Sequence, residues 1–386
     1  MSQGVALLGA TGSIGRSALA VLRRHPDRFH VVALAANRNA VELARQVEVF
    51  RPKLVALGDS AATPENGAVA KAQHWRTGRA GLLEAATHPD VDIVINAIVG
   101  AAGLEITLAA LGAGKRLALA NKESLVAGGP LVMEALAAGG GLLIPVDSEH
   151  SAILQCLRGA RERELRRIVL TASGGPFRNH SLHELQAVTR ADALRHPTWD
   201  MGTKITVDSA TLANKALEVI EAHFLFGLDY DRIEAVVHPQ SIIHSMVEFT
   251  DGSVLAQMGF PNMELPILYA LTHPERLEDN GTRTFDPIAA GNLSFEPIDL
   301  DRFGAFRLGV VAGRTGGVAP AVYNAANEIA VAAFLASDLP FPAIPDVIDA
   351  ALQGHAPAAA DSLAAILAAD RSARETARNA IVRAKC

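Results

Sequence analysis

The chain has 386 residues, 49% hydrophobic and 20% charged, with a formal net charge of −6. That length implies two or three domains with ordinary apolar cores, and the acidic balance argues against a non-specific nucleic-acid or anionic-membrane binder. No apolar run approaches the roughly 20 residues that cross a bilayer, and no basic stretch precedes an apolar core at the start, so a cytoplasmic protein is expected.

Val5–Leu8 reads as a buried parallel strand, followed by Gly9-Ala-Thr-Gly12-Ser-Ile-Gly15 and a helical run to Leu22. Strand, glycine turn and helix form the setting of a dinucleotide-phosphate loop. The glycines permit close backbone approach, and the helix N-terminus faces a pyrophosphate. The G-x-x-G-x-x-G spacing is a variant of the usual fingerprint, and a tight turn without a ligand explains a lone glycine motif as well. After the next strand, His30–Ala35, come Ala36, Asn37, Arg38 and Asn39. An acid there would take a ribose 2′-hydroxyl; its absence and the arginine favour NADP over NAD. The competing reading of Arg38 is a solvated loop charge. A loop-and-helix region is expected from about Ser60 to His88. Strands at 53–57, 92–96, 116–120 and 142–146, with a helix over 104–112, complete a doubly wound pattern. Asn121, Lys122, Glu123 and Ser124 end one of these strands, where ligands of open α/β sheets lie.

Asp147-Ser148-Glu149-His150 follows the last strand. In an extended segment Asp147 and Glu149 project to one side, and two converging carboxylates call for a cation or a proton. Oxygen ligands without nearby cysteine favour Mg²⁺ or Mn²⁺. A helix N-terminus, with Asp147 or Ser148 capping and Glu149 in the first turn, is the other reading; the two are compatible. Ser173-Gly-Gly after a strand at 168–172 offers a hydroxyl and backbone N–H groups to a phosphate, or simply ends the strand. His196-Pro-Thr-Trp199-Asp-Met-Gly202 is a Pro- and Gly-bounded segment that reads as a lid. It leads into Asp208–Glu218, read as a helix capped by Asp208 and Ser209. Asn214, Lys215 and Glu218 share one side of it, and Ser209 lies one turn earlier, where N–H groups favour anions. The plainer reading is a capped amphipathic helix with a Lys–Glu pair. Glu218 is the candidate third carboxylate for a cation.

Residues 232–258 have strand character, with Asp251-Gly252 as a hairpin turn. His238 and His244 read there as structural histidines rather than metal ligands. Pro, Gly, Asp and Asn interrupt 273–300 as in a linker, and helical patterns follow at 302–312, 323–336, 345–352 and 362–384. Cys156 and Cys386 make neither a disulfide framework nor a metal spacing; Cys156 reads as a buried thiol. The expected architecture is α/β. A Rossmann-like NADP-binding domain covers 1–146 and a central α+β catalytic domain 147–273, with its lid near 196–203. A linker covers 274–300 and a C-terminal helical domain 301–386.

Taken in order, several blocks resemble the 1-deoxy-D-xylulose 5-phosphate reductoisomerase family over nearly the whole chain. They are Gly9–Gly15, Ala97–Leu104, Ala120–Ser124, Pro145–His150, Ala172–Phe177, His196–Glu218, His238–Met246 and Asn324-Ala-Ala-Asn-Glu328. The resemblance implies an NADPH-dependent enzyme of the non-mevalonate isoprenoid pathway, acting on a phosphorylated sugar as a cytoplasmic homodimer. It implies Asp147, Glu149 and Glu218 as ligands of one divalent cation (Mg²⁺, Mn²⁺ or Co²⁺). Ser173, Ser209, Asn214 and Lys215 match the substrate-phosphate site, with His196 beside it and Trp199 in the lid. Lys122 and Ser148 match substrate contacts near the metal, and Lys122, Glu149 and Glu218 are the candidate catalytic groups. Thr11, Gly12, Ser13 and Ile14 match the pyrophosphate loop. Asn37, Arg38 and Asn39 match the 2′-phosphate and ribose region, and Asn121, Glu123 and Gly202 other NADPH contacts. The chain departs from the family at Asn37 and Ala216, where glycine is common. At Asn262 and Glu264 the family usually has Asp and Arg, which puts a local ion pair or subunit contact in doubt. Two other readings are an NADP-dependent semialdehyde dehydrogenase, which needs a catalytic cysteine, and an NADP-sensing regulator, which needs no carboxylate cluster.

Overall fold

Short apolar runs bounded by turn residues become parallel strands, because a strand covered on both faces has no polar side to show. The structure, a computed structural model, describes residues 2–61, 75–199 and 201–384. Cys386 and part of the region between Ser60 and His88 lie outside the described residues. In chain order come β1 (Gln3–Leu8), α1 (Ser13–Arg24), β2 (Phe29–Ala36), α2 (Ala40–Phe50), β3 (Leu54–Leu57) and β4 (Arg76–Thr77). Then follow α3 (Gly78–Thr87), β5 (Ile93–Asn96), α4 (Ala102–Gly112), β6 (Arg116–Leu119), α5 (Lys122–Gly139) and β7 (Leu142–Pro145). These strands form one sheet of order β4-β3-β2-β1-β5-β6-β7, parallel throughout. The four residues of β3 and of β5 are all buried. Strand order reverses between β1 and β5, so the loops after these two strands flank the switch point where such sheets bind ligands.

The chain continues through α6 (Ser148–Cys156), β8 (Leu165–Ala172), α7 (Leu182–Leu185), α8 (Arg190–Ala193), α9 (Thr203–Ala210) and α10 (Ala213–Phe226). Next are β9 (Ile233–Val237), β10 (Ile243–Phe249), β11 (Val254–Met258), α11 (Glu264–Thr272), α12 (Pro287–Ala290) and β12 (Glu296–Pro297). The helices α13 (Gly304–Thr315), α14 (Ala319–Leu335), α15 (Ile344–Gly354) and α16 (Leu363–Ala384) end the chain. A second sheet has the order β11-β10-β8-β9-β12. In it the expected Asp251-Gly252 turn joins β10 to β11 as an antiparallel pair, with Gly252 at φ +86°. His238 is structural, as expected. Its Nε2 accepts the N–H groups of Ile242 and Ile243, both at 3.1 Å, and its Nδ1 donates to the Ser294 carbonyl at 2.9 Å.

Two compact units result. One comprises Met1–Ser124, Val132–Ser151 and Asn262–Arg283; the other comprises Leu125–Leu131, Ala152–Pro261 and Thr284–Cys386. The packing differs from the sequence division at residues 125–131, which fall in the second unit, and at 147–151, which fall in the first, and in two larger respects. Residues 262–283 belong with the nucleotide-type sheet, and the central and C-terminal stretches form one unit. Apolar contact explains the second point: α10 residues Ala216, Leu217 and Ile220 share a core with Phe306, Tyr323, Phe334 and Ile348. Charge explains the first. Arg24 of α1 donates to Glu264 at 2.6 Å and to both oxygens of Asp279 at 2.7 Å. The sign reversal at Glu264 therefore creates an ion pair with Arg24. The departure at Ala216 is likewise accommodated, because a Cβ on Gly309 of α13 would stand only 2.5 Å from the Ala216 methyl.

Candidate active site

In the first unit the glycine loop has the shape its sequence demands. Gly9 sits at φ +92°, and a Cβ there would meet the Ala97 carbonyl oxygen at 2.3 Å. A Cβ on Gly15 would meet the Gly9 and Ala10 carbonyl oxygens at 2.3 and 2.5 Å. The loop is a cradle that only bare backbone can form. Gly12 caps α1 without a side-chain hydrogen bond, leaving Ser13 and Ile14 in the first turn with their N–H groups at the positive end of the helix. Thr11 precedes them, its carbonyl accepting from Arg16 at 2.9 Å.

Asn37, Arg38 and Asn39 are exposed at the end of β2. The Arg38 guanidinium is held 2.7 Å from Asp59, an acid on the loop after β3 that is remote from Arg38 in sequence and so left no mark near residue 38. Asn39 accepts the Glu42 N–H and caps α2. Asn121 caps α5 through Ser124 N–H, and its amide donates to the carbonyls of Ile98 (2.7 Å) and Gly100 (3.0 Å) and to Glu123 (2.9 Å). Its side chain is thus already committed to tying the loop after β5 to α5.

Lys122, in the first turn of α5, is buried and pairs with Asp147 at 2.5 Å. Burial pushes the Asp147 carboxyl up, but the charges of Lys122 and His150 and hydrogen bonding outweigh it and hold it well below the usual carboxylate range. Asp147 is therefore an anion whose oxygens suit a hard cation. The extended geometry expected for Asp147 and Glu149 is not what forms: α6 begins at Ser148. Glu149 occupies its first turn, accepting a hydrogen bond from the Ser148 hydroxyl at 2.6 Å. The helix terminus expected as the other reading forms, and its N-terminal dipole favours both carboxylates there.

In the second unit three side chains far apart in sequence converge. His196 Nε2 lies 3.0 Å from both Ser173 Oγ and Ser209 Oγ. The N–H groups of Thr198 and Trp199 donate to His196 Nδ1 at 3.2 and 2.9 Å. The neutral ring therefore carries its proton on Nε2, directed at the two hydroxyls. Burial lowers the His196 pKa to about 4, so the ring is neutral at pH 7. Gly175 makes this convergence feasible: at φ +67° it lies so close to α9 that a Cβ would be 2.7 Å from the Ser209 carbonyl oxygen. Trp199 stands 6.1 Å, ring to ring, from His244.

One expectation fails here. Asp208 and Ser209 do not cap the helix that carries Glu218. They occupy the last turn of α9, which Gly202 caps, and the chain breaks at Leu212 in the left-handed region (φ +55°) before α10 begins. Ser209 therefore contributes its hydroxyl and not a helix N-terminus. The face expected on α10 does form: Asn214 and Lys215 both bond to the Glu218 carboxylate. The Lys215–Glu218 pair is 3% and 1% exposed. Burying such a pair gains little stability, so its placement points to use. Cys156 ends α6 half-buried, not fully buried as expected, and packs against apolar side chains.

Comparison with known proteins shows the family. The sequence pattern of 1-deoxy-D-xylulose 5-phosphate reductoisomerase matches residues 5–129, and those of its two C-terminal domains match 143–226 and 258–376. The reductoisomerase of Symbiobacterium thermophilum is 53% identical over 99% of this chain and 100% of its own length. That of Bacillus cereus is 49% identical over 96% of this chain and 97% of its own. The solved reductoisomerase of Zymomonas mobilis in complex with NADPH superposes with a TM-score of 0.91 at 43% identity, covering 99% of both chains. A DOX-P reductoisomerase solved with NADPH, fosmidomycin and magnesium gives 0.93 at 40% identity, again over 99% of both. The chain belongs to the 1-deoxy-D-xylulose 5-phosphate reductoisomerase family.

Proposed function

We propose that this chain converts 1-deoxy-D-xylulose 5-phosphate to 2-C-methyl-D-erythritol 4-phosphate with NADPH and a divalent cation, supplying the non-mevalonate isoprenoid route. The observation that carries the reading is the family match along nearly the whole chain, to relatives captured with NADPH, magnesium and fosmidomycin. The chain's own residues fit these groups. The Gly9–Gly15 cradle excludes side chains where a pyrophosphate would lie, and Asp147 is kept ionised by Lys122.

Asp147, Glu149 and Glu218 are assigned as the cation's ligands. When bound, the cation supplies Lewis acidity and a template for the carbonyl and hydroxyl oxygens of the substrate; NADPH supplies a hydride. The substrate's carbon skeleton rearranges to an aldehyde, 2-C-methyl-D-erythrose 4-phosphate, which hydride and a proton then reduce. Ser173, Ser209 and the Nε2–H of His196 donate to the substrate phosphate, with Asn214 and Lys215 adding an amide and a charge. Phosphate binding of this kind contributes remote binding energy to orientation and closure. Lys122, beside Asp147, is assigned to stabilise charge or move a proton, and Ser148 to contact the substrate. Trp199 is assigned to the lid over the substrate and Gly202 to a coenzyme contact from that lid. Thr11, Gly12, Ser13 and Ile14 take the pyrophosphate. Asn37, Arg38 and Asn39 take the 2′-phosphate and ribose side, and Asn121 and Glu123 further coenzyme atoms.

The family resemblance also supports Mn²⁺ or Co²⁺ in place of Mg²⁺, a homodimer and a cytoplasmic enzyme. No helix among the described residues is long and apolar enough to cross a membrane. The semialdehyde dehydrogenase reading is not favoured, because the reductoisomerase match extends over nearly the whole chain. The direct test mixes the protein with NADPH, Mg²⁺ or Mn²⁺ and 1-deoxy-D-xylulose 5-phosphate and follows nicotinamide absorbance. Metal-dependent loss of NADPH absorbance is expected; a folded sample that leaves NADPH unconsumed would falsify the assignment.

A further inference from the structure

The Asn324-Ala-Ala-Asn-Glu328 block belongs to no part of the site described above, yet its α14 helix reaches α9. Asn327 is fully buried, and its side-chain amide donates to Asp208 Oδ1 at 2.8 Å. Asp208 is 1% exposed, and its other oxygen pairs with Lys204 at 2.9 Å, one turn back on α9. A carboxylate buried this deeply is costly unless its lone pairs are met, so the amide and the ammonium together hold it in place. Asp208 immediately precedes Ser209, whose hydroxyl lies 3.0 Å from His196 Nε2.

The junction after Ser209 needs such a hold. Leu212 is a buried, non-glycine residue at φ +55°, a costly conformation that persists only where the surroundings over-determine it. The Thr211 hydroxyl donates to the Asp208 carbonyl at 3.2 Å and accepts the Ala213 N–H at 3.3 Å, bracing the turn. Within α9, then, the side chain of Asp208 is anchored from α14 and its carbonyl anchors the strained turn. Gly175 also abuts the Ser209 backbone, so a small shift of α9 would open the Ser173–His196–Ser209 triangle.

We propose that Asn327 is a positioning residue for the reaction. Through Asp208 it fixes the end of α9 so that Ser209 Oγ stays in register with Ser173 and His196 for the substrate phosphate. The role rests on the assignment of these three residues to that phosphate. It is tested on the full-length enzyme by a double-mutant cycle of Asn327→Ala and Ser209→Ala, reading KM for 1-deoxy-D-xylulose 5-phosphate, kcat, and the Kd of NADPH. Asn327→Ala should raise KM about tenfold or more, since small displacements of positioning groups cost up to about 10²-fold. NADPH binding should be unchanged. In the Ser209→Ala background the same substitution should change KM less than about twofold, because neighbours acting as one unit are not additive. Equal effects in both backgrounds would overturn the proposal. Should Asn327→Ala fail to fold, Asp208→Asn keeps the shape while removing the charge that Asn327 and Lys204 hold. Its cycle with Ser209→Ala is judged by the same criterion. If Ser209→Ala alone leaves KM unaltered, it is the phosphate assignment that fails, and this is seen separately from the coupling.

Discussion

The glycine loop of the first unit and the serine–histidine cluster of the second are both suited to phosphate groups, but they are made of different material. The loop offers backbone: its defining property is that Gly9 and Gly15 have no Cβ, each of which would collide with a carbonyl oxygen at 2.3 Å. The cluster offers side chains, two hydroxyls and one imidazole N–H, from residues 173, 196 and 209. A backbone site is encoded locally and is damaged by adding atoms. A side-chain site is assembled by the fold and is damaged by removing them.

That contrast can be broken experimentally. The largest effect is expected from Glu218→Gln, which removes a buried anion beside Lys215 and a proposed cation ligand. Metal-dependent turnover should fall by at least about a hundredfold, with NADPH titration unchanged; full activity would remove Glu218 from the metal site. Gly15→Ala is the converse. Overpacking of this sort costs about 1–3 kcal/mol, so the melting temperature should drop and NADPH binding weaken more than substrate binding. Normal NADPH affinity in a folded Gly15→Ala protein would contradict the backbone cradle.

A smaller effect is expected at Arg38, which spends part of its interaction on Asp59. Arg38→Ala should weaken NADPH about tenfold while changing NADH little, the scale of one charge-assisted contact; equal losses for the two coenzymes would reject the 2′-phosphate role. The smallest effect concerns pH. Burial depresses His196 to about 4 in the folded chain, against roughly 6.5 for an exposed imidazole. Its neutral form therefore contributes stability that is fully present above about pH 6.5 and lost as pH falls toward 4. Across that window the ligand-free enzyme should lose more melting temperature than His196→Gln does; parallel curves would show that His196 is not buried as a neutral ring.

The histidine also marks where sequence reading stops. The glycine loop, the alternation of strands and helices and the shared face of Asn214, Lys215 and Glu218 were all legible, because each depends on neighbours within one or two turns or one strand. The α9–α10 break was not. Asp208-Ser209-Ala-Thr looks like a helix start, since Asp, Ser and Thr favour caps. Tertiary packing instead ends one helix there and forces Leu212 left-handed. Asp59, which engages Arg38, lies on the loop after the adjacent strand and leaves no mark near residue 38. The Glu264 sign change looked like a lost ion pair until Arg24, far away in the chain, proved to be its partner.

By itself, then, the sequence determined the parallel sheet, the glycine loop and the residue types of the candidate site, through periodicities and turn chemistry that act over a few residues. Only the tertiary structure decided which side chains meet. It brought Ser173, His196 and Ser209 onto one imidazole nitrogen, set Lys122 against Asp147 and tied Asn327 to Asp208. The reason is that hydrogen bonds and ion pairs extend about 3 Å, whereas separation along the chain says nothing about which groups the packed core will bring within that reach.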